Sequence, residues 1–125
     1  MSAPQHTLPP AMGPYATTRR AAGFLFLSGQ GGIDPETGKR GAFGIVDETR
    51  LTLENIQRLL RSEGYEMADL VQVTCYLTDM EDWPALNTVY AEFMGPDTRP
   101  PRTAVGVASL PFGLTVEIAA VAYKD

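Results

Sequence analysis

Apolar residues along this 125-residue chain switch between two spacings. The run Ala21 to Ser28 is short and apolar on both faces, which predicts a buried strand. Ser28-Gly29-Gln30-Gly31-Gly32 ends it, and Asp34-Pro35-Glu36-Thr37-Gly38 is a strong turn signal. A short return strand is expected around Gly41-Ala42-Phe43. From Asp47 to Glu63 the spacing becomes helical: Leu53, Ile56, Leu59 and Leu60 form one stripe. Asp47 is the expected N-cap and Gly64 the residue that ends the helix. Leu70 to Leu77 is rich in β-branched and aromatic residues and reads as a strand. A second helix follows, capped by Asp82, with Pro84 in its first turn and Gly95-Pro96 closing it. Its apolar side is Leu86, Val89, Tyr90 and Phe93. Two more strands complete the chain, from Arg102 to Ala108 and from Leu114 to Ala122.

The expected order is strand, strand, helix, strand, helix, strand, strand. This is an α+β fold, a single mixed sheet with two helices packed on one face. One domain over residues 1–125 is expected, with residues 1–12 a flexible leader carrying three prolines. In the last two strands neither face is clearly polar: Val116, Ile118 and Ala120 alternate with Glu117, Ala119 and Val121. Two helices cover only one face of the sheet, so the other face calls for a second chain. The pattern therefore predicts an oligomer.

The charge balance narrows the partners. The formal net charge is −5 and the pI near 4.8. Arg19-Arg20, Lys39-Arg40, Arg58 and Arg61 are scattered among acids, with no basic stripe. Nucleic acid is excluded as the expected partner. The one cysteine, Cys75, sits in a strand and reads as a small core residue, and the one histidine, His6, lies in the leader. Together they leave no zinc site of the usual kind. No apolar run is long enough to span a membrane, and no signal peptide is visible, so a cytoplasmic protein is expected.

Two charges stand where composition would not put them. Arg102 enters an apolar strand directly behind Pro100-Pro101, which hold the base of its side chain. Glu117 sits inside the last apolar strand. Buried charges need a partner or a ligand. Arginine's planar fork matches a carboxylate, so Arg102 reads as a clamp for a small acid. An Arg102–Glu117 salt bridge joining two strands is the competing reading, and residue types alone leave the two open.

Arg102-Thr103 followed by Val105, Val107 and Leu110-Pro111, then Val116-Glu117-Ile118, is similar to the signature of the RidA/YjgF family. These are imine and enamine deaminases, also called endoribonuclease L-PSP-like proteins. Gly13-Pro14-Tyr15, Leu27-Ser28-Gly29-Gln30 and Asn87 resemble further family landmarks in the same order. The resemblance implies a chorismate-mutase-like fold and a homotrimer whose sheets form a central barrel, with a cleft at each subunit boundary. It implies hydrolysis of short 2-imino or 2-enamino acids to 2-keto acids, with no cofactor and no metal. Arg102, Glu117 and Tyr15 would be catalytic; Ser28, Gly29, Asn87 and Ala104 would bind substrate. Asn55 also matches the family pattern, and its expected role is to bond backbone. Three positions depart from the family: Ala104, where cysteine is common; Arg99, where an aromatic or small residue is common; and Gly106, in place of a bulkier side chain. Alternatives are a catabolic deaminase of a larger enamino acid such as 2-aminomuconate, and a non-catalytic sensor of small acids. A ribonuclease is disfavoured by the acidic balance.

Overall fold

Five strands hydrogen-bond into one mixed sheet in this computed structural model, which describes residues 7–97 and 99–125. They are β1 (Thr18–Ala21), β2 (Phe24–Gln30), β3 (Leu70–Leu77), β4 (Arg102–Gly106) and β5 (Val116–Tyr123). Their order across the sheet is β1-β2-β5-β3-β4. Only β3 and β4 run parallel. The helix α2 (Trp83–Met94) joins them, because parallel neighbours need a crossover of about a dozen residues. The other helix, α1 (Ile45–Ser62), lies between β2 and β3 in sequence.

Strand alternation decides what each face carries. In β5, Val116, Ile118, Ala120 and Ala122 are buried, while Glu117, Ala119 and Val121 are half-buried. The buried set, with Leu25, Leu27, Val73, Cys75 and Leu77, meets Leu53, Ile56, Leu59, Leu60 and Leu86 from the helices. Cys75 is fully buried, as its apolar strand predicted. The opposite face is apolar and uncovered. Phe24 and Phe26 are 40% and 45% exposed, and Phe24 lies 4.8 Å from the ring of Tyr123. The segment carrying Pro9, Met12 and Tyr15 and the turn with Pro111 and Phe112 approach this face beside Gly29 and Glu117. Among the described residues, no helix is long and apolar enough to cross a membrane. His6 lies outside the described residues.

The expected order of elements holds, and the expected strand Ala21 to Ser28 is β2, but its partner is a different segment. The partner of Phe24–Gln30 is not Gly41-Ala42-Phe43; it is Thr18–Ala21, which precedes it. The two join through Ala22-Gly23, with Ala22 at φ 54. A Thr-Arg-Arg-Ala strand has no apolar alternation to reveal it, as befits an edge that meets water. Residues 41–43 stay a loop, next to an isolated bridge of Ile33 with Arg40.

Helix ends follow backbone needs more than side-chain caps. Helix α1 starts after Gly44 (φ 89), three residues before the expected cap Asp47. Asp47 instead falls in the first turn, where a carboxylate suits the positive end of the helix. At the other end, Gly64 (φ 85) ends the helix as its type predicts. Its N–H donates to Arg61 O (3.1 Å), and the N–H of Tyr65 donates to Leu60 O (2.9 Å). Asp82 precedes α2, as expected, but makes no side-chain capping bond.

Ile118 is fully buried at the centre of the sheet, between β2 and β3. Ile118→Ala should therefore cost about 2–5 kcal/mol in urea unfolding at fixed protein concentration. A loss below about 1 kcal/mol would mean the sheet–helix seam is not the core.

Candidate active site

Arg102 is held by its strand, by a helix and by two aromatic rings. The pairing of β3 with β4 begins where Val73 N donates to Pro101 O at 3.1 Å, so the Pro-Pro pair sets the strand's start. Arg102 is the register partner of Val73, and Ala104 of Cys75, so both are on the helix-covered face at the sheet's edge. There one guanidinium nitrogen donates to Asn87 Oδ1 at 2.6 Å. The guanidinium carbon lies 5.0 Å from the Trp83 ring centre and 4.7 Å from that of Tyr90. Ring faces attract a cation without neutralising it. Among the described residues Arg102 forms no ion pair, and its other N–H groups have no hydrogen-bond partner. The result is an oriented positive fork with free donors.

Cys75 lies behind this fork. Burial pushes its thiol up to about 11, with the Arg102 charge only partly opposing. It is a core residue and not a nucleophile at neutral pH. The Tyr90 hydroxyl is buried with no hydrogen-bond partner among the described residues, and burial raises its pKa.

Glu117 occupies a different place. It is the register partner of Tyr76 on the face opposite the helices. Beside it, β2 carries Gly29 within the irregular stretch between Leu27 and Gln30. A methyl group at Gly29 would collide with the Glu117 carboxylate, so the close approach requires glycine. Tyr15, Gly29, Gln30, Phe112, Leu114 and Glu117 line a hollow of about 60 Å³, enough for a few waters or one small polar group. The Tyr15 hydroxyl accepts from Met12 N at 3.1 Å. Glu117 has no hydrogen-bond partner among the described residues, and burial raises its carboxyl pKa.

Two clusters thus emerge from the seven site residues expected from sequence. Tyr15, Gly29 and Glu117 share the hollow. Arg102 and Asn87 are in contact, with Ala104 on their face of the sheet. Ser28 is outside the hollow's lining, and its hydroxyl is engaged with Thr17 O (3.4 Å) and Gln30 Nε2 (3.3 Å). Arg102 and Glu117 do not form a salt bridge; within one chain they are on opposite faces of the sheet.

Arg99 is exposed, its Nε bonded to Gly95 O at 2.7 Å. Asn55 does bond backbone, but across the fold: its amide donates to Gly31 O (3.2 Å) and Ile33 O (2.8 Å). Sequence reasoning read Tyr90 only as core and missed Trp83. The signal was present: positions 83, 87 and 90 recur at i, i+4, i+7 and put two rings and an amide on one face of α2.

Comparisons with known proteins agree with this architecture. Residues 5–124 match the family described as Endoribonuclease L-PSP. A RutC family protein of Pyrococcus horikoshii is 45% identical over 117 residues, covering 94% of this chain and 92% of that one. The 2-iminobutanoate/2-iminopropanoate deaminase of Mus musculus is 35% identical over 116 residues, covering 93% and 85%. Among solved structures, TdcF of Escherichia coli with bound serine superposes with a TM-score of 0.89 at 34% identity, covering 97% of this chain and 95% of that one.

Two outcomes follow from the Glu117 environment. Its raised pKa means the folded state binds the proton more tightly than the unfolded chain. That contribution to stability is fully present below the ordinary carboxylate range and is lost as pH rises through the raised value. Glu117→Gln should therefore be more stable than the wild type at neutral pH, and the gap should close by about pH 3 in urea midpoints. An equal gap at both pH values would contradict the raised pKa. Gly29→Ala should displace the carboxylate while leaving the fold intact, which comparison of its circular dichroism and its crystal structure with the wild type would establish.

Proposed function

The chain belongs to the RidA/YjgF (endoribonuclease L-PSP) family, and from that premise we propose that it hydrolyses short 2-imino and 2-enamino acids to 2-keto acids and ammonia. One observation carries the reading: a fixed guanidinium with free donors and an unpaired carboxylate of raised pKa are present in one chain, neither neutralised by the other.

Arg102 holds the substrate carboxylate with its free N–H pair, oriented by Asn87 and by the Trp83 and Tyr90 rings. The C=N carbon next to that carboxylate is then fixed in space. Positioning of this kind lowers a barrier by up to about 7–11 kcal/mol. The substrate reacts as its iminium, C=NH2+: Glu117 takes a proton from a water as the oxygen bonds to the C=N carbon and the π electrons pass to nitrogen, which gives a neutral carbinolamine. Glu117 then hands that proton to the nitrogen, and as the C–N bond breaks the carbinolamine O–H proton passes to the freed Glu117 carboxylate, so that ammonia and a 2-keto acid leave and the last proton goes to solvent. A carboxyl pKa raised by burial suits a group that must both accept and donate. Tyr15 supplies a hydroxyl to the water or substrate, and the backbone near Ser28, Gly29 and Ala104 supplies further polar groups. A 2-enamino acid enters the same route after protonation at its β-carbon.

The two clusters lie on opposite faces of one sheet, so a complete site needs Arg102 from one copy and Glu117 from the next. The assembly that provides this is a homotrimer in which the uncovered faces, carrying Phe24, Phe26 and Tyr123, pack into a central barrel with three equal clefts. Burial of that face also answers its exposed aromatic area. A second reading is a binder of small acids without turnover, favoured by the serine bound in the TdcF structure of Escherichia coli.

Ammonia release from freshly generated 2-aminoacrylate, measured against buffer alone, separates the two readings; no acceleration would refute the enzyme. Arg102→Ala should reduce turnover on the order of 10²–10³-fold with the oligomer intact. Refolding Arg102→Ala together with Glu117→Gln in equal amounts should restore about one quarter of the sites, because mixed neighbours rebuild them. No recovery on mixing would place both residues in a single-chain site.

A further inference from the structure

A buried ion pair outside both clusters bears on the hollow. Glu48, in the first turn of α1, is fully buried, a rare place for a carboxylate. Its oxygens accept from Thr115 N (2.9 Å), from the Thr115 hydroxyl (2.8 Å) and from an Arg40 guanidinium nitrogen (2.7 Å). Arg40 uses its other donors on Ala42 O (3.1 Å) and Gly113 O (2.8 Å), and its flat face stacks 4.4 Å from the Phe43 ring centre. The pair thus fastens the start of α1 and the loop just before it to the turn from Pro111 to Thr115, 67 to 73 residues further along the chain.

That turn is a wall of the hollow, through Pro111, Phe112 and Leu114, and Glu117 follows Thr115 by two residues. Phe112 sits at φ 61, a left-handed conformation that a bulky residue holds only under restraint. An apolar contact would join these segments at lower desolvation cost. A charge pair with directed hydrogen bonds instead admits one position of Thr115.

We propose that the Arg40–Glu48 pair is a positioning device for Glu117: it pins the 111–115 turn and so fixes where the carboxylate stands in the hollow. The kinetic consequence rests on the deaminase reading above; the structural consequence does not. The titratable groups facing Glu117 are Tyr15 from the N-terminal segment and Tyr76 from β3, while β2 presents only Ser28 and Gly29. In the assembly the neighbour's Arg102 joins them.

Glu48→Gln keeps the volume and can still bond Thr115, but removes the charge that holds Arg40. The full chain would be read two ways: kcat and KM on freshly generated 2-aminoacrylate, and carboxyl NMR titration of Glu117, its signal assigned with Glu117→Gln. The expected result is a kcat lower on the order of 10–100-fold, a KM changed by less than about twofold, and a Glu117 that titrates at lower pH as water reaches it. Unchanged kcat and unchanged titration would overturn the proposal, whatever happens to thermal stability. A fall in kcat with an unchanged titration would overturn it too, since the loss would then act through another group. If the wild type turns nothing over, the titration alone decides, so the positioning role and the deaminase reading fail separately. Should Glu48→Gln not fold, Arg40→Lys, which keeps the charge but loses the fork, is expected to give the same two changes in smaller measure.

Discussion

Successive residues of a strand point to opposite faces of a sheet, and the chemistry of this chain is built on that constraint. Arg102 shares the helix-covered face with its partner Val73, and Glu117 shares the open face with its partner Tyr76. No rotamer brings two such side chains together through a hydrogen-bonded sheet. Separation keeps the guanidinium and the carboxylate from neutralising each other, and each stays available to something outside the chain. The uncovered apolar face around Phe24 and Tyr123 has the same remedy. In the assembly proposed above, a second copy covers it and the unlike halves meet in one cleft.

Each half is tuned by neighbours that do not cancel it. An amide oxygen and two aromatic rings orient Arg102 without removing its charge. A glycine lets backbone approach Glu117, and burial without a hydrogen-bond partner lifts its pKa. Such groups weigh against stability, and the rest of the fold offsets them. The central strands β5 and β3 are apolar on their helix-facing side, and a fully buried carboxylate, Glu48, ties the loops that frame the hollow. Glu117 lies on the face opposite that scaffold, and Arg102 at the scaffold's edge.

The fold was legible where periodicity was strong. The stripe of Leu53, Ile56, Leu59 and Leu60, the strand Leu70–Leu77 and the alternation of Val116 to Ala122 each reported which face meets the core. The edge strand Thr18–Ala21 was hidden, since its burial is slight and its residues are polar. Gly44 was passed over as the start of α1 because Asp47 offered a more conventional cap. Of the site, Arg102 and Glu117 were legible as charges in apolar strands, and the family resemblance pointed to Tyr15, Gly29 and Asn87. The separation of the halves follows from register between strands that meet only in three dimensions. Neither Trp83 nor Glu48 stood out in the sequence, because the partners that give them their roles, Arg102 for one and Arg40 with Thr115 for the other, meet them only in the folded chain.

The most direct test is a crystal structure of the protein with a small 2-keto acid such as pyruvate bound. The account predicts a carboxylate seated on Arg102 of one copy, with the keto carbon facing Glu117 of the adjacent copy across a subunit seam. An acid held entirely by residues of a single chain, or an Arg102 that stays on Asn87 while the ligand binds elsewhere, would contradict it.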